Sequence, residues 1–347
     1  MKIILNKLNI KNSIHKKDWL KELKNVITNY DKLIEILELN KNKKKSSYFN
    51  TKKNNFPIRV PLNFVNRMEK RNSKDPLLLQ VLIQKQEKII LKNYSNDPIK
   101  ENVSIKLPGL LHKYNNRVLL IIKTNCAINC RYCFRKNFPY QNNLGNKENW
   151  NKSINYIKDK HEIEEVIFSG GDPLMAKDHE LKWIISKIEK IKHIKRIRIH
   201  TRLPVVIPSR ITNELCEIFN KTKLKIIMVT HINHPNEINN EFKKNISILK
   251  NKTGINIFNQ SVMLKGINND IQILKKLSNK LYESEIIPYY IHILDKVTGS
   301  SHFFVSKKEA ISIIKKLTEQ ISGFLVPKLV QEKNNRKSKI LINLNMK

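Results

Sequence analysis

Arg117-Val118-Leu119-Leu120-Ile121-Ile122-Lys123-Thr124-Asn125-Cys126-Ala127-Ile128-Asn129-Cys130-Arg131-Tyr132-Cys133-Phe134-Arg135 runs from an unbroken apolar segment into three cysteines at spacings of four and three residues. A short apolar run bounded by polar residues reads as a strand buried on both faces. Three thiolates on the loop at its end can wrap a compact cluster. A structural zinc wants four ligands, often as two separated pairs, and no second CxxC exists. A cube of four irons held by three cysteines, with one iron open to a ligand, fits better, although such clusters ordinarily take four cysteines. The bland alternative is three incidental buried cysteines.

Outward from this loop the rhythm repeats. Further apolar runs begin near Val166, Ile197, Lys225, Asn256 and Tyr289, about thirty residues apart after a longer first gap. Helix-like segments such as Leu181-Lys182-Trp183-Ile184-Ile185 lie between them. Strand, helix, strand at that period predicts parallel strands joined by crossover helices. Six such units predict an α/β fold, an incomplete (β/α)6 relative of the eight-fold barrel. Chemistry in such barrels sits at the C-terminal strand ends, where the cysteines lie. Residues 1–110 differ. Apolar positions from Trp19 to Leu37 predict one amphipathic helix, a Lys/Ser/Asn-rich break follows at 40–56, and Pro61 and Pro76 each open a short helical piece. The expected organisation is an N-terminal helical accessory region (1–110), a barrel core (111–325) and a C-terminal tail (326–347).

Composition narrows the class. The chain has 347 residues, 40% of them hydrophobic, with 8 glycines and 12 prolines, which excludes collagen-like and Pro/Gly-rich types. No apolar stretch approaches the ~18 residues of a membrane helix. The start, Met1-Lys2-Ile3-Ile4-Leu5-Asn6-Lys7, turns polar too early for a secretory signal. A cytoplasmic protein without a membrane partner is expected. The net charge of +36 prompts a search for nucleic acid. The excess is mostly lysine scattered among asparagine and isoleucine, and blocks such as Lys41-Asn42-Lys43-Lys44-Lys45 read as solvated loop. Nucleic acid is therefore not the expected partner. Cys216, the fourth cysteine, lies in a helical apolar pattern and reads as a core residue.

The CxxxCxxC spacing, with the aromatic Tyr132 before the third cysteine, resembles the signature of the radical S-adenosylmethionine superfamily. The resemblance implies a 4Fe-4S cluster on Cys126, Cys130 and Cys133, with S-adenosylmethionine chelating the fourth iron. Gly170-Gly171-Asp172-Pro173-Leu174, after the second run, matches the family's Gly-rich turn; alone it could equally be a tight turn. Its glycines would let backbone approach the cofactor's amino group, and Gly170, Gly171 and Asp172 are the expected contacts. Together with Pro108-Gly109-Leu110-Leu111-His112-Lys113-Tyr114, His231-Ile232-Asn233-His234-Pro235 and Asn259-Gln260-Ser261-Val262, the chain is similar to the lysine 2,3-aminomutase family over nearly its whole length. The likeness is closest to the short bacterial members that supply β-lysine for modifying elongation factor P. Long members carry a C-terminal extension with a cysteine zinc site, and no cysteine follows Cys216 here.

That likeness implies conversion of L-α-lysine to β-lysine, in the R form, by a 5′-deoxyadenosyl radical and pyridoxal phosphate. It implies an electron donor of flavodoxin or ferredoxin type, with elongation factor P and its lysyl-ligase as pathway partners, and leaves room for a homo-oligomer. Aligning Ser338-Lys339 selects Lys339 as the Schiff-base lysine, with Lys337 the alternative and a frayed basic tail the bland reading. Asn334 and Asn335 stand where the family has glycines, and asparagine tolerates the left-handed backbone of such a turn. Arg135 matches the arginine that clamps the substrate carboxylate, a task suited to a planar fork. Asp295 and Glu332 match the carboxylates that hold the ε-ammonium. Tyr114 and Arg117 match residues near the cofactor's phosphate or carboxylate, and His231 and Asn233 stand second at a strand end. Rival readings are a radical enzyme modifying RNA, an aminomutase for another amino acid, and a non-enzymatic iron–sulfur or nucleic-acid-binding protein. The last leaves Gly170-Gly171-Asp172 and Ser338-Lys339 without purpose.

Overall fold

The structure, a computed structural model, describes residues 18–39, 56–334 and 336–345. The expected loop at Lys41–Lys45 and the asparagine at 335 lie outside them. The single helix expected over 19–37 is two, α1 (Asp18–Lys24) and α2 (Tyr30–Ile36). Between them Ile27 and Val60 exchange backbone hydrogen bonds of 2.8 and 3.0 Å, and Asn29 caps α2 by accepting from Lys32 N at 3.2 Å. The apolar spacing was right, but that bridge takes the intervening backbone out of the helix. The two proline-led pieces are single turns, α3 (Leu62–Val65) and α4 (Pro76–Leu79), the latter capped by Asp75 Oδ1 at 2.9 Å from both Leu77 N and Leu78 N.

Among the described residues ten strands form one sheet in chain order. β1 (Ile105–Leu107) and β2 (Leu110–Tyr114) are antiparallel, and β2 leads antiparallel into β3 (Arg117–Lys123). From β3 the sheet is parallel through β4 (Glu165–Gly170), β5 (Arg196–Thr201), β6 (Lys225–Thr230), β7 (Asn256–Val262) and β8 (Ile287–His292). These are the six runs read from the sequence. Their crossovers carry α5 (Lys147–Lys158), α6 (Asp178–Ile188), the one-turn α7 (Leu203–Val206) with α8 (Asn213–Lys221), α9 (Asn240–Thr253) and α10 (Ile271–Glu283). Each long crossover helix turns an apolar stripe to the sheet, as α8 does with Leu215, Cys216, Ile218 and Phe219. Cys216 is a core side chain, 1% exposed.

The ends of the chain join this architecture. After α11 (Lys307–Thr318), β9 (Lys328–Gln331) lies parallel to β8, and β10 (Ile340–Leu341) folds back antiparallel on β9. The C-terminal segment is thus a seventh parallel strand and a return arm, which places Glu332 and Lys339 opposite each other. At the other end β2 crosses the expected boundary at 110, and Trp19, Leu33, Phe64 and Leu77 share one apolar core with β3, β4 and β5. The N-terminal helices are built into the barrel wall.

Candidate active site

The loop after β3 is moulded by the N-terminal layer. Asn129 N donates to Arg59 O at 2.9 Å and Arg131 N to Gln80 O at 2.8 Å, while Cys133 N closes a turn on Cys130 O at 3.0 Å. Arg131, 1% exposed, pairs with Glu87, reaches Phe56 O at 2.7 Å and lies over the Phe56 ring. The three cysteines are unpaired and half-buried. Burial pushes the Cys133 thiol up to about 11 and the Cys126 thiol well above its ordinary value, with the neighbouring cysteines adding to both. Thiols so placed lose their protons to a metal. Among the described residues no three His, Cys, Asp or Glu side chains stand close enough to hold a single ion. Thiolates on separate corners of a cube lie farther apart than ligands around one ion, and an all-sulfur set suits an iron–sulfur cluster.

The Gly-Gly-Asp turn after β4 packs directly against the entry to the cysteine loop. A Cβ on Gly170 would stand 2.3 Å from Lys123 O, and one on Gly171 would stand 2.4 Å from Asn125 O. The space these glycines keep is filled by the backbone that enters the cysteine loop. Gly171 N donates to Lys123 O at 2.7 Å and Asp172 N to Asn125 O at 3.0 Å. Asp172 likewise turns its carboxylate inward, accepting from Thr201 Oγ1 and Arg202 N at 2.7 Å, Leu203 N at 2.9 Å and Leu174 N at 3.0 Å. It ties the end of β5 to the end of β4. Gly171→Ala should therefore displace the loop, costing about 1–3 kcal/mol of stability. A lower denaturant midpoint together with reduced iron per chain after reconstitution would show it; unchanged iron would detach the turn from the cysteines.

Arg135 is buried at 7% exposure, and its fork is engaged. Nε and Nη2 pair with the two oxygens of Glu101 at 2.7 and 2.6 Å, while Nη1 donates to Ser169 Oγ at 2.9 Å. Glu101 carried no signal in the sequence. The expected clamp for a substrate carboxylate is thus preset by a carboxylate of this chain.

Across the barrel mouth Glu332 gathers three donors: Lys113 Nζ at 2.7 Å, the Tyr114 hydroxyl and Lys339 Nζ. Burial alone would raise the Glu332 carboxyl, but Lys339, Lys113 and Tyr114 hold it down at about 2. The Arg117 guanidinium lies 4.3 Å from the Tyr114 ring centroid. Burial and the Glu332 charge push Asp295 up to about 7, with Glu101 adding and Lys339 and Lys113 opposing. Asp295 has no ion pair among the described residues, and it feels both the Glu101 end and the Lys339 end of the mouth. His200, its pKa lowered well below the ordinary value chiefly by burial, also feels Lys339 and Arg135. His200 Nε2 and His292 Nε2 are buried without hydrogen-bond partners. Lys339 is half-buried and Lys337 exposed. The expected Tyr114, Arg117, Asp295, Glu332 and Lys339 come together here; Lys113, quoted in the same motif, carried no expected role. His231 and Asn233 hold the Tyr132 hydroxyl instead, at 3.0 and 2.6 Å.

Cations, an aromatic ring and unpartnered imidazole nitrogens at this mouth suit a phosphorylated pyridine aldehyde, as the sulfur loop suits a cluster. The Radical SAM superfamily matches residues 120–277. L-lysine 2,3-aminomutase of Buchnera aphidicola subsp. Baizongia pistaciae is 56% identical over 344 residues, covering 99% of this chain and 100% of that one. The protein of that name from Escherichia coli K12 is 47% identical over 97% of both chains, and that of Haemophilus influenzae is 51% identical over 91% of this chain and 92% of its own. The Bacillus subtilis L-lysine 2,3-aminomutase is longer, matched over 69% of its length at 33% identity. With sulfur loop, turn and barrel in place and identity running from end to end, this chain belongs to the lysine 2,3-aminomutase family of radical S-adenosylmethionine enzymes.

Proposed function

We propose that this isomerase converts L-α-lysine to β-lysine, in the R form, with pyridoxal phosphate as its second cofactor. The observation that carries the reading is the closed group of Lys339, Glu332, Lys113 and Tyr114 facing Asp295. Cys126, Cys130 and Cys133 would hold the cluster, beside the turn shaped by Gly170 and Gly171. Lys339 would hold pyridoxal phosphate, with Tyr114, Arg117 and Lys113 along its phosphate edge. When bound, the cluster and S-adenosylmethionine supply a carbon radical, and pyridoxal phosphate carries the migrating nitrogen.

The chain's own residues bind and orient. Glu332, ionised throughout the working pH range, pairs with the Lys339 ammonium in the cofactor-free chain; with Lys339 engaged by pyridoxal phosphate it would be open to the substrate's ε-ammonium. Asp295 supplies the second carboxylate for that ammonium, which selects lysine over an acidic amino acid. Arg135, squared by Glu101 and Ser169, offers its remaining N–H toward the substrate carboxylate. No helix among the described residues is long and apolar enough to cross a membrane. The setting proposed is the cytoplasm, with a flavodoxin or ferredoxin as electron donor and a ligase passing β-lysine to elongation factor P.

The test is one anaerobic assay. Reconstituted protein receives pyridoxal phosphate, S-adenosylmethionine, a reductant and α-lysine, and the lysine isomers are separated by chromatography and mass spectrometry. β-Lysine is expected, and Cys130→Ala should make none. S-adenosylmethionine cleavage without β-lysine would remove lysine as the substrate; no cleavage from fully loaded, reduced protein would remove the radical reading itself.

A further inference from the structure

Arg202, the residue after β5, reaches the cysteine loop from the barrel side. Its side chain is 6% exposed, and its backbone N–H is fixed by Asp172 Oδ2 at 2.7 Å. Nη1 donates to Cys130 Sγ and to the Tyr132 hydroxyl, both at 2.7 Å. Nη2 donates to Gln80 Oε1 at 2.6 Å and Glu237 Oε2 at 2.8 Å. Glu237 is fully buried, and its other oxygen accepts from Asn233 N at 2.9 Å and from His234 N and Gln80 Nε2 at 3.1 Å. The guanidinium therefore has one orientation, with a carboxylate on one edge and a cysteine sulfur on the other. A buried ion pair of this kind is costly to assemble, and nothing in the proposed binding of lysine uses it.

We infer that Arg202, aligned by Glu237, is a positioning residue that hydrogen-bonds Cys130 and sets the reduction potential of the cluster. Reducing the cluster adds negative charge beside a cation and an N–H donor to sulfur, and both favour the reduced form. Glu237 opposes this from the far edge of the guanidinium. The N-terminal layer takes part through Gln80, which touches both partners. The inference rests on the family's cluster and not on lysine as substrate.

Opposite signs follow for the two partners. Arg202→Gln removes the cation and leaves the Glu237 charge uncompensated. At the parent's midpoint its reduced-to-oxidised ratio should fall about ten-fold, a shift of ~59 mV for one electron. Glu237→Gln removes the opposing charge and should raise the potential, while Arg202→Lys should lie between parent and Arg202→Gln. The measurement is a redox titration followed by electron paramagnetic resonance on reconstituted protein, iron per chain counted first, without S-adenosylmethionine or lysine. A role confined to holding the loop would lower iron content, or move both variants the same way. Shifts of one sign, or none in Glu237→Gln, overturn the inference. If Arg202→Gln fails to take up iron, Glu237→Gln and Arg202→Lys decide by the same signs. Should the lysine assay fail while these potentials move as stated, the substrate is rejected and the inference stands.

Discussion

Lys339→Ala should lose β-lysine formation by on the order of a thousand-fold or more, whereas Lys337→Ala should keep most of it. The two lysines lie two residues apart on the return arm to β10, yet their surroundings differ. Lys339 is half-buried against Glu332, and Lys337 is exposed. A lysine that must bond to an aldehyde cofactor has to face the barrel mouth, and Lys339 does so through the pairing of Ile340 with Gln331 and Leu341 with Val330. The loss should appear as missing cofactor absorbance after desalting, with iron content and cluster spectrum unchanged. Lys339→Arg keeps the ion pair to Glu332 but cannot form the bond, so it should fold like the parent and still make no product. Full activity in Lys339→Ala, or its loss in Lys337→Ala, would move the cofactor to the neighbouring lysine.

The barrel was legible because each parallel strand carries a short apolar run, unbroken in β3 (118–122) and β6 (226–229) and alternating with arginine in β5, and all six of those runs are strands. β9 was not legible: Lys328-Leu329-Val330-Gln331 is short and half polar, and its pairing with β8 on one side and β10 on the other makes it a strand. The cysteine loop was readable from local spacing, and Lys339 was selected only by the family resemblance of Ser338-Lys339. What escaped was the network that aims them, because its contacts are distant in sequence. Arg202 meets Cys130 across 72 positions and Gln80 across 122, and Glu101 meets Arg135 across 34. No local pattern marks such residues. The motif position of the glycines was readable, but their packing against the backbone of the cysteine loop was not, because Lys123 and Asn125 lie more than forty residues away. Residues 56–104 read as a bland accessory layer for the same reason; their polar side chains acquire a purpose only when folded onto the loop.

Asp295→Lys should abolish lysine turnover and leave the cluster's absorbance intact, and Asp295→Asn should lose most turnover while making the substrate-free protein more stable. Both follow from one fact: burial and Glu332 raise the Asp295 carboxyl to about 7. In the unfolded chain it titrates near 3.9. Between those values the folded chain holds a proton that the unfolded chain has released. This contribution to stability is complete below about pH 4 and is lost as pH rises through about 7. A displacement of this size corresponds to on the order of 4 kcal/mol, and local relaxation will return part of it. Asp295→Asn should therefore unfold at least about 1 kcal/mol later than the parent at pH 8 and match it near pH 4. Glu332 has the opposite linkage: its lowered value contributes stability above about pH 4.5 that disappears as pH falls toward 2. Under the proposed role, Asp295 must be ionised to meet an ammonium that stays charged to about pH 10. The parent's kcat/KM should thus fall about ten-fold per pH unit below 7, and kcat should fall only at lower pH, because bound lysine pulls the Asp295 value down. A kcat/KM profile flat through pH 6, or an Asp295→Asn protein no more stable than the parent at pH 8, would take Asp295 out of the ammonium site. Under the proposed role the destabilising charge is what the site uses. A carboxylate kept unpaired beside another, at a cost in stability, has a purpose if a cation arrives between them, and the substrate's far end is such a cation.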